Sequence, residues 1–270
     1  MNFINRMLNK LDYKKIKFGT SLSDDQLYPD FCIKASIDAH VFSNFRQNRI
    51  YCRILEHCNE TIGLLYLDEI IKNRQDLLDN IEQFKENDKY GNPYLVDYVR
   101  IGKISPSTLR YIKVLSDLLN LFYSLDGLRI CEIGVGYGGQ CRIINSIASP
   151  LEYVLVDLKP VLMLAQSYLD NYILKSSMRY KTMNELKEEK YDLVISNYAF
   201  TELRREVQDC YLKKIILNSR CGYITYNDIT PKYFKSYKKD ELLSIIPNSH
   251  IINEVPLTHS NNCIIVWGDS

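Results

Sequence analysis

The feature that most constrains this chain is a glycine-rich bend, Glu132-Ile133-Gly134-Val135-Gly136-Tyr137-Gly138-Gly139, which follows a short apolar run and opens a segment with helical spacing. Glycine reaches positive φ without a Cβ clash, so such a bend can turn a strand sharply into a helix and leave its backbone bare. The pattern around it alternates. Strands are expected at residues 129–133, 153–157, 178–182, 192–197, 222–227, 250–255 and 263–267, with helices at 139–148, 160–174, 202–218 and 239–246 between most of them. That alternation predicts a parallel α/β sheet. Residues 256–262 are too short to hold a crossover helix, so the last two strands are expected to pair antiparallel.

Upstream, residues 1 to about 100 read as helical, with apolar residues three and four apart over 36–57, 60–73 and 75–86 and no strand alternation. Asp88-Lys89-Tyr90-Gly91-Asn92-Pro93 breaks that pattern. Ser105-Pro106-Ser107 then reads as a helix start, Ser as cap and Pro in the first turn, for a helix from 108 to about 123. The expected organisation is a helical cap or substrate region over 1–104 and a ligand-binding α/β domain over 105–270.

Gly134, Gly136 and Gly139 satisfy G-x-G-x-x-G, which by itself suits any nucleotide-like ligand. Glu132 narrows the choice. Two residues before the first glycine, its carboxylate would repel a dinucleotide pyrophosphate, whereas it would attract the ammonium of S-adenosylmethionine (SAM). Asp157, one βαβ step on, is placed to accept both ribose hydroxyls of either ligand. A nicotinamide dinucleotide and a purely structural turn remain the alternatives.

Three motifs together carry a family resemblance: Ser105-Pro106-Ser107-Thr108-Leu109-Arg110-Tyr111, the bend continued through Gln140, and Ser196-Asn197-Tyr198-Ala199-Phe200-Thr201-Glu202-Leu203. The chain resembles the sugar O-methyltransferases of bacterial polysaccharide and antibiotic pathways. The resemblance implies a Rossmann-like, class I SAM-dependent methyltransferase fold, whose seven-stranded sheet has an antiparallel last strand. It also implies that Arg110 and Tyr111 close over the cofactor, with Arg110 forking onto the methionine carboxylate. Tyr137 would border the same end, and Gly138, Gly139 and Asn197 complete the cofactor set.

Methyl transfer to a hydroxyl needs alignment and a proton acceptor, and ligands of open α/β sheets sit at the carboxyl ends of the strands. Glu202, Tyr198 and His259 are the catalytic candidates on that ground. For Glu202 the alternative is a carboxylate complementing a helix N-terminus, and for His259 an exposed loop histidine. Asn227 and Asp228 end the next strand and would bind sugar hydroxyls or simply form an Asx turn. His40, His57 and His250 read as structural. The eight cysteines, without Cys-x-x-Cys, read as reduced thiols, and no ligand spacing calls for a metal.

The formal net charge of +1 gives no basic surface for nucleic acid, and no apolar run is long enough to span a bilayer. With no signal-peptide layout at Met1-Asn2-Phe3-Ile4-Asn5-Arg6, the cytoplasm is the natural reading. The expected partner is a small-molecule acceptor, a sugar, nucleotide sugar or glycan precursor, with a homodimer as an option. A phosphate-type or phosphoramidate acceptor, and a nucleotide-binding scaffold without catalysis, are the competing functions.

Overall fold

The computed structural model describes residues 19–268, so the reading of the first six residues lies outside the described part. In chain order the elements are α1 (Leu27–Ile37), α2 (Ala39–Phe42), α3 (Arg49–Ile54), α4 (Glu60–Arg74), α5 (Ile81–Lys85), β1 (Val96–Tyr98), β2 (Gly102–Ile104), α6 (Pro106–Phe122), β3 (Arg129–Ile133), α7 (Gly139–Ile147), β4 (Glu152–Val156), α8 (Lys159–Leu169), β5 (Ser177–Lys181), β6 (Tyr191–Asn197), α9 (Arg205–Lys214), β7 (Ser219–Tyr226), α10 (Lys239–Ile245), β8 (His250–Ile252) and β9 (Cys263–Trp267).

Seven strands form one sheet in the order β5-β4-β3-β6-β7-β9-β8, parallel from β5 to β7, with β9 antiparallel to both of its neighbours. The alternation led one to expect a parallel α/β sheet with its last two strands antiparallel, and the family resemblance a Rossmann-like sheet of seven strands; the sheet has both features. The strand order reverses between β3 and β6, where open sheets form a crevice at their carboxyl ends. Side chains alternate across the sheet as a period of two requires. Ile130, Tyr153, Leu155, Leu193 and Ile195 join a core shared with α1, α4, α6, α7 and α8, and Cys131, Val154, Val156 and Val194 join one with α9 and α10.

Several boundaries differ from expectation, each for a local reason. The helix expected over 36–57 is cut where Asp38 and Asn48 accept backbone amides and restart it as N-caps. Residues 96–104, read as non-strand, form an antiparallel hairpin of β1 and β2. The helix over 160–174 ends at Leu169, because Asn171 donates its Nδ2 to the carbonyls of Ser167 and Tyr168. The helix expected from 202 starts at Arg205, since Arg204 N bonds Thr20 O and Leu203 pairs with Ser21. The strand over 250–255 stops at Ile252, and Glu254 turns inward. Ser105 does cap α6, its Oγ accepting from Ser107 N with Pro106 in the first turn. Among the described residues no helix is long and apolar enough to cross a membrane.

Gly222 on β7 lies opposite Trp267 on β9, and a Cβ there would meet the indole at 2.0 Å. Overpacking of this kind costs about 1–3 kcal/mol. Gly222→Val is therefore expected to lower the unfolding free energy by that amount, read as a lower denaturant midpoint, and adding Trp267→Leu should recover part of it; an unchanged midpoint would show that the indole is not fixed over the glycine.

Candidate functional site

The bend folds as its sequence demands. Gly134, Gly136 and Gly138 take φ values of 78°, 54° and 87°, and Gly138 caps α7 in the left-handed region. Gly134 N bonds Val156 O at 2.9 Å, and Asp157 Oδ2 accepts from Val135 N at 2.8 Å and Gly136 N at 3.3 Å. Asp157 Oδ1 accepts from Leu158 N at 2.7 Å. A carboxylate offers about four lone-pair positions, and three of these are taken by amides. One lone-pair position, at Oδ1, is left free of these amides. Burial pushes this carboxyl up to about 6, against the pull of the same amides.

Glu132 points to the same sheet face as Tyr153, whose hydroxyl donates to Glu132 Oε2 at 2.6 Å. Only 2% exposed and with no cation beside it among the described residues, the carboxyl is pushed up to about 8 by loss of water. Tyr137 does not border the open side of the bend. Its ring is fully buried among Phe45, Tyr51, Tyr111 and Tyr168, beneath the Arg46 guanidinium 4.8 Å away. Its hydroxyl accepts from Asn87 Nδ2 at 3.1 Å, which ties the bend to the helical layer.

At the carboxyl ends of β6 and β7 the motifs before and after the bend converge. Arg110, Tyr111, Asn197 and Tyr198 line one small cavity of about 20 Å³ together with Tyr66, Lys113, Val114, Tyr223, Thr225, Glu254, Val255 and Pro256. Arg110 is 7% exposed and forms no ion pair among the described residues; its Nη2 donates to the Leu55 carbonyl at 3.2 Å. Asn197 Oδ1 is buried without a hydrogen-bond partner among the described residues. Tyr198 holds φ at 68°, a conformation side chains seldom adopt and one that persists only where surroundings enforce it. Its hydroxyl donates to Glu254 Oε1 at 2.5 Å, and Glu254 also accepts from Thr258 N and Oγ1 at 2.9 Å. Burial drives the Tyr198 phenol well above its usual range.

Glu202 and His259 stand outside the walls of that cavity. Glu202 Oε1 accepts from Asn227 Nδ2 at 2.8 Å, and burial pushes its carboxyl up to about 7. Asn227 is thereby engaged, and Asp228 pairs with Lys238 at 2.6 Å. His259 is half-buried in the β8–β9 connection, with Nδ1 lacking a partner among the described residues. His40 and His250 are exposed, and none of His40, His57 and His250 lines that cavity. All eight cysteines are free thiols, and among the described residues no cluster of three His, Cys, Asp or Glu could hold a metal. Glu254, Tyr66 and Leu55 escaped the sequence reading, because no local spacing marks a residue brought in from a distant loop or helix.

No family model matches the chain, and no curated protein matches it. Among solved structures it is similar to magnesium protoporphyrin IX methyltransferase from Synechocystis with bound SAM, with 16% identity over 74% of this chain and 97% of that one and a TM-score of 0.45. It is also similar to Haemonchus contortus phosphoethanolamine N-methyltransferase 2 in complex with SAM, with 16% identity, 71% and 46% coverage and a TM-score of 0.43. The pyocyanin biosynthetic protein PhzM gives 12% identity, 61% and 58% coverage and 0.42.

The raised carboxyl of Glu132 fixes a direction of pH dependence. Its folded value of about 8 lies above the unfolded value near 4.3, so between the two the folded chain keeps a proton that the unfolded chain has lost. Stability from this group is full below about pH 4.3 and falls as pH rises toward 8. Glu132→Gln should accordingly gain on the parent by on the order of 2 kcal/mol between pH 6 and 9 in denaturant titrations, and parallel curves would contradict the burial argument.

Proposed function

We propose that the chain is a SAM-dependent methyltransferase acting on a hydroxyl of a sugar, nucleotide sugar or glycan precursor. The observation that carries this reading is the convergence of Arg110, Asn197 and Tyr198 on one cavity at the carboxyl ends of β6 and β7, with the glycine bend beside them at the end of β3. The donor set suits a sulfonium nucleoside. Glu132 offers a buried carboxyl to its ammonium, Asp157 Oδ1 an acceptor to its ribose, and Arg110 an unpaired guanidinium to its carboxylate. When bound, that cofactor supplies a methyl group activated on sulfur.

The chain's own residues would hold the acceptor and move its proton. An acceptor hydroxyl bonded to Tyr198 Oη can pass its proton to that oxygen as the phenol proton passes to Glu254, which already receives the hydrogen bond. Glu202, with its carboxyl near 7, is the second proton acceptor at this edge of the sheet. The amphipathic rings of Tyr66, Tyr111 and Tyr223 on the cavity wall suit the apolar faces and hydroxyls of a sugar. A second reading, a nucleoside-binding protein without turnover, is favoured by the cavity's size of about 20 Å³, which is room for a single water.

SAM at 100 times its dissociation constant should stabilise the chain by about 2.7 kcal/mol, whereas a nicotinamide dinucleotide should not. Turnover is decided by incubating the chain with labelled SAM and a panel of nucleotide sugars and capsule precursors, followed by mass analysis. Binding without any methylated product would favour the second reading. With a product in hand, Glu254→Gln is expected to keep SAM affinity and lose about 100-fold in rate, and Glu202→Gln carried through the same assay shows which carboxylate takes the proton.

Calorimetry offers a further check. Glu132 is mostly protonated at pH 7, so a cation placed beside it should expel its proton. SAM binding should release a fraction of a proton in the parent and measurably less in Glu132→Gln; equal release would remove Glu132 from the cofactor's surroundings.

A further inference from the structure

Residues 55–58, between α3 and α4, lie against the groups that the proposed cofactor would use. The Leu55 side chain sits on Gly136, where an added Cβ would meet Leu55 Cδ1 at 2.6 Å. The Leu55 carbonyl takes a hydrogen bond from Arg110 Nη2 at 3.2 Å, the one bond that this buried guanidinium makes across to the segment. The next residue, Glu56, accepts from Arg46 Nε at 2.7 Å, and Arg46 is itself fixed by Asp88 at 3.0 Å. A single stretch of chain thus covers the bare face of the bend and engages a buried arginine that has no carboxylate partner among the described residues.

We infer that residues 55–58 are an internal competitor for the cofactor site: Leu55 occupies the glycine bend and the Arg110 guanidinium, and a ligand carrying both a nucleoside and a carboxylate displaces it. The inference rests on the SAM reading. Its physical basis is an exchange of partners. A guanidinium prefers a bidentate carboxylate to a single neutral carbonyl, so the anionic end of a ligand can release the Leu55 carbonyl where a neutral nucleoside cannot. Room for the movement exists nearby. Glu56 and Cys58 also line a separate cavity of about 290 Å³ with Arg46, Gln47, Cys52, Tyr94 and Ser105, none of which borders the Arg110 cavity. The strap is short and without regular hydrogen-bonded structure over 56–59, so few backbone bonds oppose its displacement.

The test is hydrogen exchange, read peptide by peptide on the full chain, alone and with S-adenosylhomocysteine or methylthioadenosine, the second of which lacks the amino-acid end. S-adenosylhomocysteine is expected to raise exchange at residues 55–59 at least tenfold while slowing it at the bend. Methylthioadenosine should bind at least tenfold more weakly and leave the strap as it was. Leu55→Ala, by removing the competitor's side chain, should bind S-adenosylhomocysteine three- to tenfold more tightly. Without any ligand, Glu56→Gln should speed exchange in the strap alone.

Slower or unchanged exchange at 55–59 in the S-adenosylhomocysteine complex would overturn the competitor and leave the cofactor reading standing. The same holds if Leu55→Ala binds no more tightly than the parent. Failure of both the parent and Leu55→Ala to bind either nucleoside overturns the cofactor reading itself. In that case the exchange of Glu56→Gln still reports whether Arg46 pins the strap, and unchanged exchange there would refute the anchoring as well.

Discussion

One carboxylate holds the geometry on which the site depends. Asp157, at the end of β4, gathers the amides of Val135, Gly136 and Leu158, and with the Gly134 to Val156 bond it fastens the glycine bend to the neighbouring strand. Charge-assisted bonds of this sort are among the stronger ones in a folded chain. They also use up most of the oxygen lone pairs that the sequence reading assigned to a ribose. Asp157 is first a builder of the bend and only secondarily a ligand to whatever lies there.

Buried charge elsewhere follows two opposite styles. Arg46 is saturated, with Glu56, Asp88, the Asn87 carbonyl and the Tyr137 ring around it. Arg110, almost as deep, has a backbone carbonyl in place of an anion, while Glu132 has a phenol in place of a cation. Burying an unpaired charge is costly, and such sites gather where a function demands them. Arg142 is a third case, 7% exposed with its Nη2 on the Gln83 carbonyl and no carboxylate partner among the described residues, so the lack of an anion does not by itself mark a ligand site.

The alternation of apolar runs was enough to read the sheet, because side-chain period and glycine placement are local properties. The bend, the Ser105 cap and the antiparallel pairing of β8 with β9 were legible for the same reason. What escaped was decided at a distance. Helix α9 starts late because Thr20 and Ser21 come to pair with Arg204 and Leu203, and β1 with β2 forms a hairpin from residues that show no clean alternation. Arg110, Asn197 and Tyr198 could be named from their motifs as candidates that turn out to line one cavity, but Glu254 is joined to Tyr198 across 56 residues of sequence and Leu55 to Gly136 across 81. No windowed pattern reports such pairings.

Tyr137 has a consequence for how this molecule can be altered. Although it belongs to the bend, its ring is wedged among Phe45, Tyr51 and Tyr168, with Asn87 bonded to its hydroxyl. The helical layer and the glycine bend therefore share keystones and behave mechanically as one casting. Exchanging residues 45–87 for another sequence would pull rings away from the bend that packs on them. Retuning this chain is a matter of single side chains on the cavity wall, not of interchangeable modules.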